Sequence, residues 1–451
     1  MGTPAPLDRL AGIVGPHHLS TDPDVLAARS VDWTGRYRGR ATALVRPADT
    51  AQVAAVLSAC RDAGTPVTIQ GGRTSLVAGT VPEHDDVLLA TERLSTIGAV
   101  DAVERRIRVG AGAPLAAVAR AAAAAGLLVG VDLAARESAT IGGMAATNAG
   151  GLRTVRYGTM AAQVLGLQVA LPDGSVLTRH SEVRSDNTGY DLPALFVGAE
   201  GTLGVITAVD LRLHPMPLHR VTAVCGFDDL AALVSAGRAL AELQTIAALE
   251  LIDGRAAALA AEYLDLPAPV PGAWMLLVEL AGDADPADHL AGALAGVALL
   301  GQPAVGVDTT AQHRLWQLRE SMAEVVGLFG PPLKFDVSLP LSAIPAFAAD
   351  SAALIADSAP DACPIMFGHI GEGNLHLNVL RCDADAESRI YAAMMELIAA
   401  HGGNVSSEHG VGSRKRGYLA MSRQPGDIAA MRTIKAALDP TGYLNPAVLF
   451  G

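Results

Sequence analysis

At 451 residues the chain can hold two or three domains with ample cores, and 50% hydrophobic against 18% charged residues excludes wholesale disorder. A formal net charge of −13 argues against nucleic acid and anionic membrane surfaces as partners, so an anionic substrate must be drawn in by local Lys and Arg. The cysteines Cys60, Cys225, Cys363 and Cys382 form no CxxC, so neither a disulfide framework nor an iron–sulfur cluster is expected, and a reducing cytosol fits. Residues 1–6, Met-Gly-Thr-Pro-Ala-Pro, lack a signal-peptide layout. The Ala-rich stretch 116–135 carries Arg120 and Asp132 and reads as a helix and strand, not a membrane span.

Residues up to about Arg40 form a lead-in with short helices. Strands are predicted at 43–47 and 66–70, with a helix between them at 50–63 on the apolar spacing of Val53, Val56 and Leu57. The second strand runs into residues 71–79, Gly-Gly-Arg-Thr-Ser-Leu-Val-Ala-Gly. Such a glycine and hydroxyl loop is either a plain turn or a phosphate cradle of backbone N–H groups; it has neither the Lys-Ser/Thr of a P-loop nor GxGxxG. Strands at 87–90 and 106–109 and a helix at 115–125 lead to residues 138–151, Ser-Ala-Thr-Ile-Gly-Gly-Met-Ala-Ala-Thr-Asn-Ala-Gly-Gly. That density of small residues serves either tight helix packing or close backbone approach to a large planar ligand. Residues 164–178 read as a hairpin around Pro-Asp-Gly. Residues 196–206, Phe-Val-Gly-Ala-Glu-Gly-Thr-Leu-Gly-Val-Ile, form a third glycine-spaced element that enters a strand.

After about Pro217 the pattern becomes α+β. Strand-like runs at 221–227, 247–252 and 274–280 alternate with Ala-rich helices such as 228–242, and residues 283–301 carry little signal. A helix at 315–319 ends on Arg319, and a strand at 334–340 starts on Lys334. Residues 365–380, Ile-Met-Phe-Gly-His-Ile-Gly-Glu-Gly-Asn-Leu-His-Leu-Asn-Val-Leu, read as a hairpin with a two-residue loop at Glu372 and Gly373. That register sets His369 opposite His376, close enough for both imidazoles to reach one metal ion. Asn374, His376 and Asn378 share a face by period-2 alternation. Residues 406–412, Ser-Ser-Glu-His-Gly-Val-Gly, add a carboxylate, Glu408, and a basic imidazole, His409. His369, His376 and Glu408 would make an open divalent site for which zinc is the favoured ion. Helices at 388–400 and 427–438 precede the closing Pro-Thr-Gly-Tyr-Leu-Asn-Pro, 440–446.

The three glycine elements resemble the FAD-binding domain of the vanillyl-alcohol oxidase/p-cresol methylhydroxylase flavoprotein superfamily. The paired blocks Gly-His-Ile-Gly-Glu-Gly-Asn-Leu-His and Ser-Glu-His-Gly-Val-Gly are similar to those of its FAD-linked D-2-hydroxy acid dehydrogenases, whose substrates include D-2-hydroxyglutarate, D-lactate and glycolate. The likeness runs from Asp32 to Pro446. It implies an α+β fold with a two-subdomain FAD-binding domain over residues 1–216, an antiparallel-sheet substrate domain over 217–405, and a segment 406–451 that returns to the flavin. It implies non-covalent FAD held by Gly71, Gly72, Arg73, Thr74, Ser75, Ser138, Gly142, Asn148, Gly151, Glu200, Gly204, Ile206 and Asn445. It implies a substrate carboxylate held by Arg319 and Lys334, with Asn378 and His409 also touching substrate. Dicarboxylate-specific relatives carry Thr one helical turn after this arginine; here the residue is Ala323.

The expected reaction oxidises an (R)-2-hydroxy acid to its 2-oxo acid. The metal would bind the substrate carboxylate and hydroxyl, His409 would take the hydroxyl proton, and FAD would receive the C2 hydride. Electron-transfer flavoprotein or a quinone would reoxidise the flavin, in the cytoplasm or at the inner face of the membrane, and the chain could act as a homodimer. A non-catalytic FAD-binding subunit is the rival reading; His369, His376, Glu408 and His409 together speak against it. A covalent-flavin oxidase would need a His or Cys in 71–79, which has neither.

Overall fold

The β-branched and leucine runs predicted as strands pair into three sheets. The structure is a computed structural model that describes residues 5–180, 183 and 186–450; the N-terminal reading of residues 1–4 lies outside them. The chain divides into two compact units: the first takes residues up to Gly150, Gly158–Met216 and those from Glu408 onward, the second Gly151–Tyr157 and Pro217–Ser407.

In the first unit, β1 (Leu19–Ser20), β2 (Ala41–Val45), β3 (Val67–Gln70) and β4 (Asp86–Ala90) form a sheet ordered β1-β2-β4-β3. β3, β4 and β2 run parallel, joined by α1 (Thr50–Asp62). Asp49 caps α1 by accepting the Gln52 N–H, and Val53, Val56 and Leu57 are buried as their spacing predicts. The second sheet holds β5 (Ile97–Asp101), β6 (Arg106–Gly110), β7 (Leu127–Val129), β8 (Val164–Ala170), β9 (Val176–Arg179) and β10 (Val205–Pro215), in the order β5-β6-β10-β8-β9 with β7 on β10. β8 and β9 are the predicted hairpin. The helices α2 (Leu115–Ala123) and α3 (Ile141–Thr147) contribute Leu115, Val118, Ile141 and Met144 to its core.

The C-terminal residues close the first sheet. Leu444 bridges Val67, and Tyr443 and Leu444 join the core cluster of β2, β3, β4 and α1. The Tyr443 hydroxyl donates to the Leu57 and Pro172 carbonyls at 3.2 and 2.7 Å.

In the second unit, β11 (His219–Phe227), β12 (Ile246–Asp253), β13 (Trp274–Gly282), β14 (Ala304–Gly306), β15 (Leu333–Ser338), β16 (Cys363–His369) and β17 (Asn374–Leu380) form one antiparallel sheet, β14-β11-β13-β12-β16-β17-β15. One face packs on α4 (Gly254–Leu264), α5 (Thr309–Glu320) and α6 (Met322–Val325), burying Val224, Ile252, Leu277, Leu315, Leu318 and Met322. The α+β class read from the sequence is the class observed. Among the described residues the four cysteines form no disulfide, and no helix is long and apolar enough to cross a membrane.

The β16–β17 hairpin corrects the predicted register. A 3-10 turn, Ile370–Glu372, and Gly373 make a four-residue connection, so His369 pairs with Asn374 and His376 with Phe367. Buried Ile370 anchors the turn, and Gly373 closes it in the left-handed region at φ 71°. A Cβ on Gly373 would stand 2.2 Å from the Leu339 carbonyl oxygen, so only glycine fits. The slip is two residues, which preserves the face of every side chain.

Candidate functional site

Main chain dominates the glycine elements of the first unit. A Cβ on Gly72 would meet the Ser138 carbonyl oxygen at 2.0 Å, and one on Gly71 the Thr140 hydroxyl at 2.6 Å, so the first two elements lie directly against each other. Arg73, Asn148, Glu200 and Asn445 hold positive φ of 58°, 51°, 49° and 44°. Left-handed backbone outside glycine costs about 1–3 kcal/mol per residue and collects where chain is shaped around a ligand. Arg73 donates to the Ala28 carbonyl at 3.0 Å, Thr74 is half-buried, and the Ser75 hydroxyl accepts the Val77 N–H at 3.3 Å. Asn148 Oδ1 accepts the Ala161 N–H at 2.8 Å. Gly142, Gly204 and Ile206 are buried, Ser138 is exposed, and Gly151 groups with the second unit.

The third glycine element is fastened to the C-terminal segment. Glu200 Oε1 and Oε2 accept the Val411 and Gly412 N–H groups, each at 2.8 Å. Burial pushes the Glu200 carboxyl up, and these two N–H groups and the Lys415 charge only partly offset it. Asn445 Oδ1 accepts the Ile69 N–H at 2.8 Å, and its Nδ2 donates to the Glu200 carbonyl at 2.7 Å. These backbone-lined, left-handed segments fit a large ligand met by N–H groups, as FAD would be.

The second unit gathers polar side chains on one face of its sheet. Register places Glu250 beside His369, His369 beside Asn374, His376 between Phe367 and Asp336, and Asn378 beside Lys334, all on one sheet face. His369 Nδ1 lies 2.6 Å from Glu250 Oε1, and Arg319 Nε, from α5, donates to Glu250 Oε2 at 2.7 Å. Glu250 is 0% exposed, Arg319 7% and His369 6%. Burial alone would raise the Glu250 carboxyl; the Arg319 charge and His369 outweigh it and hold the carboxyl below the usual range.

The His369 and His376 rings are edge to face with centres 5.5 Å apart. Two imidazoles on one tetrahedral zinc would have ring centres about 5.2 Å apart, close to this spacing, although His369 is not in the group of described residues whose ligand atoms all lie within 4.8 Å of one another. Asp336 and His376 also offer ligand atoms within 4.8 Å of each other. The buried Asn374 Oδ1 on the same face has no hydrogen-bond partner among the described residues, as expected where a polar ligand completes the site. Lys334 is half-buried, and Asn378, buried, donates to the His376 carbonyl at 3.2 Å. Ala323 departs from expectation: Ser321 interrupts the helix, so Arg319 lies in the last turn of α5 while Ala323 is exposed in α6.

Glu408 and His409 begin the last segment of the first unit, with Glu408 Oε1 3.8 Å from His409 Nε2. Glu408 follows Ser407, whose N–H donates to Asp336 Oδ2 at 3.0 Å. Glu250, Asp336 and Phe367 escaped the sequence reading. A lone carboxylate in the apolar run 246–252 was the available signal for Glu250, because Glu is almost never fully buried without a partner. Asp336 shares strand parity with Lys334.

Residues 41–179 match a FAD binding domain, and residues 216–449 match the C-terminal domain of FAD linked oxidases. The chain is 36% identical over 452 residues to the mitochondrial D-2-hydroxyglutarate dehydrogenase of Bos taurus, covering 97% of this chain and 82% of that one. It is 37% identical over 448 residues to the D-2-hydroxyglutarate dehydrogenase of Xanthomonas citri pv. viticola, covering 96% and 94%. Substrate-bound p-cresol methylhydroxylase superposes with a TM-score of 0.80 at 17% identity, covering 98% and 95%, which establishes the fold. The chain therefore belongs to the FAD-linked oxidase family, as an FAD-dependent oxidoreductase of the group that contains the D-2-hydroxyglutarate dehydrogenases.

Proposed function

We propose that the chain oxidises a (R)-2-hydroxy acid to the 2-oxo acid with the help of a divalent metal. The observation that carries this reading is the His369–His376 pair, with ring centres 5.5 Å apart, on the sheet face that also bears Lys334 and whose Glu250 takes a hydrogen bond from Arg319 of α5. His369, His376 and Glu408 would hold the metal, zinc being favoured by two imidazoles and a carboxylate, with Asp336 as a further donor. FAD, in the glycine elements, supplies a hydride acceptor, and the metal supplies Lewis acidity toward substrate oxygens. The chain's own groups do the rest. Arg319 and Lys334 hold substrate carboxylate by charge-assisted hydrogen bonds. Asn378 orients the substrate, and His409 takes the C2 hydroxyl proton as general base. The hydroxyl oxygen gives up its proton and C2 its hydride, a two-electron oxidation, and an external carrier, electron-transfer flavoprotein or a quinone, would accept the electrons.

D-2-hydroxyglutarate is the first candidate substrate because the named relatives act on it. Ala323, where dicarboxylate-specific relatives carry Thr, points to a weaker grip on the distal carboxylate. A dye-linked screen of D-2-hydroxyglutarate, D-lactate, glycolate and D-malate tests the reading, with and without exhaustive chelation. Turnover of at least one D-acid that chelation abolishes while FAD stays bound is expected. Full turnover in metal-free protein would overturn the metal's role; no turnover of any would overturn the substrate class.

A further inference from the structure

Five side chains of the second unit close a ring of contacts. Arg319 Nε bonds Glu250 Oε2 at 2.7 Å, Glu250 Oε1 bonds His369 Nδ1 at 2.6 Å, and His369 meets His376 at 5.5 Å between ring centres. His376 meets Phe367 at 5.4 Å, and the Arg319 guanidinium carbon stands 4.9 Å from the Phe367 centroid. Glu250 is the one member that bonds both a metal-ligand candidate and a substrate-binding candidate. A carboxylate accepts and does not donate, so His369 carries its proton on Nδ1, the tautomer whose Nε2 lone pair is the one able to ligate a cation. The other oxygen takes only the Nε–H of Arg319, which leaves the two terminal amino groups to hold a carboxylate.

We propose that Glu250 is a positioning residue that sets the metal-binding tautomer of His369 and the orientation of the substrate-binding Arg319, one carboxylate oxygen for each. The assignment rests on the roles given above to His369 and Arg319. Its consequence is coupling: one carboxylate orients the groups that receive the ion and the groups that receive the acid.

The test uses the FAD-loaded full chain. Zinc affinity is measured without substrate, by competition with a chromophoric chelator, for the wild type, Glu250→Gln and Glu250→Asp. KM and kcat for whichever D-2-hydroxy acid the screen identifies follow at saturating zinc. Loss of a carboxylate behind a ligating histidine weakens metal binding roughly 10–100-fold, and that is expected for Glu250→Gln. Its KM should rise about tenfold, more than kcat falls, as Arg319 loses its bearing. Glu250→Asp keeps the charge but is one methylene too short to serve both partners, so it should fall between. It carries the test should Glu250→Gln not fold. A lowered melting temperature with unchanged zinc affinity and KM would mean a merely structural carboxylate and overturn the proposal alone. A wild type that binds no zinc would overturn the metal reading and this proposal with it.

Discussion

Two glutamates, one in each unit, solve the burial of a carboxylate in opposite ways. Glu200 is satisfied by two backbone N–H groups from a segment some two hundred residues later in the chain, and its carboxyl is pushed up. Glu250 is satisfied by a guanidinium and an imidazole, and its carboxyl is held down. The first arrangement sews main chain to main chain; the second orients side chains for chemistry. On the proposed reading, cofactor recognition would follow backbone path and substrate recognition strand register.

The largest expected effect separates chemistry from both kinds of stitching. His409 lies among glycines in the first unit, so His409→Ala should leave both glutamate networks intact. Anaerobic single-turnover reduction of the flavin should slow by about 10²–10⁴-fold with little change in melting temperature. Reduction at the wild-type rate would mean that another group takes the proton.

Next comes the network itself. Glu250→Ala strands Arg319 in the core, and removing one partner of a buried pair costs about 3–5 kcal/mol. Denaturant unfolding should show that loss, and the double variant Glu250→Leu/Arg319→Met should recover much of it. If the double variant is as unstable as the single, the cost is packing and not an orphaned charge.

Glu200→Gln should cost less, about 1–3 kcal/mol, because one of two backbone N–H groups then faces an amide NH₂. The pH dependence sharpens the contrast. The folded pKa of Glu200 lies above the ordinary value, so the folded state keeps a proton that the unfolded chain has released. Stability from this group therefore falls as pH rises through the window just above the ordinary glutamate range. The folded pKa of Glu250 lies below the ordinary value. Its contribution is complete above that value and is lost as pH falls through the lowered one. Unfolding free energy against pH in the two Gln variants should diverge from wild type in opposite senses; parallel curves would refute the comparison.

The smallest effect belongs to Ala323. Since it is exposed beyond the break at Ser321, Ala323→Thr should raise kcat/KM for D-2-hydroxyglutarate over D-lactate by no more than about fivefold, the scale of an exposed polar contact. An unchanged ratio would remove Ala323 from the specificity argument.

What the sequence disclosed follows the same division. Glycine spacing announces main-chain work, so the three glycine elements are legible in the sequence alone. Period-2 alternation put His369, His376 and Asn378 on one face, and a slip of two residues left that intact. The loop length was not legible, because the turn is set by Gly373 against the carbonyl of Leu339, which follows another strand, β15. Glu250 passed unnoticed for a related reason. Its partners are 69 and 119 residues away, and no local pattern records a contact made by strand order. The break at Ser321 was not legible either, since helical periodicity runs on from Arg319 to Ala323.

The route by which Leu444 reaches β3 bears on how the protein is made. Residues 217–407 emerge from the ribosome between the two parts of the first unit, and at ordinary elongation rates their synthesis takes roughly 10–40 s. Throughout that interval β3 lacks the Leu444 bridge and its core lacks Tyr443. The inserted unit, a contiguous stretch apart from seven residues, can fold while the unit that encloses it waits. Nascent FAD capture should follow release of the C-terminal segment, and a truncation at residue 440 should damage the N-terminal sheet before the antiparallel one.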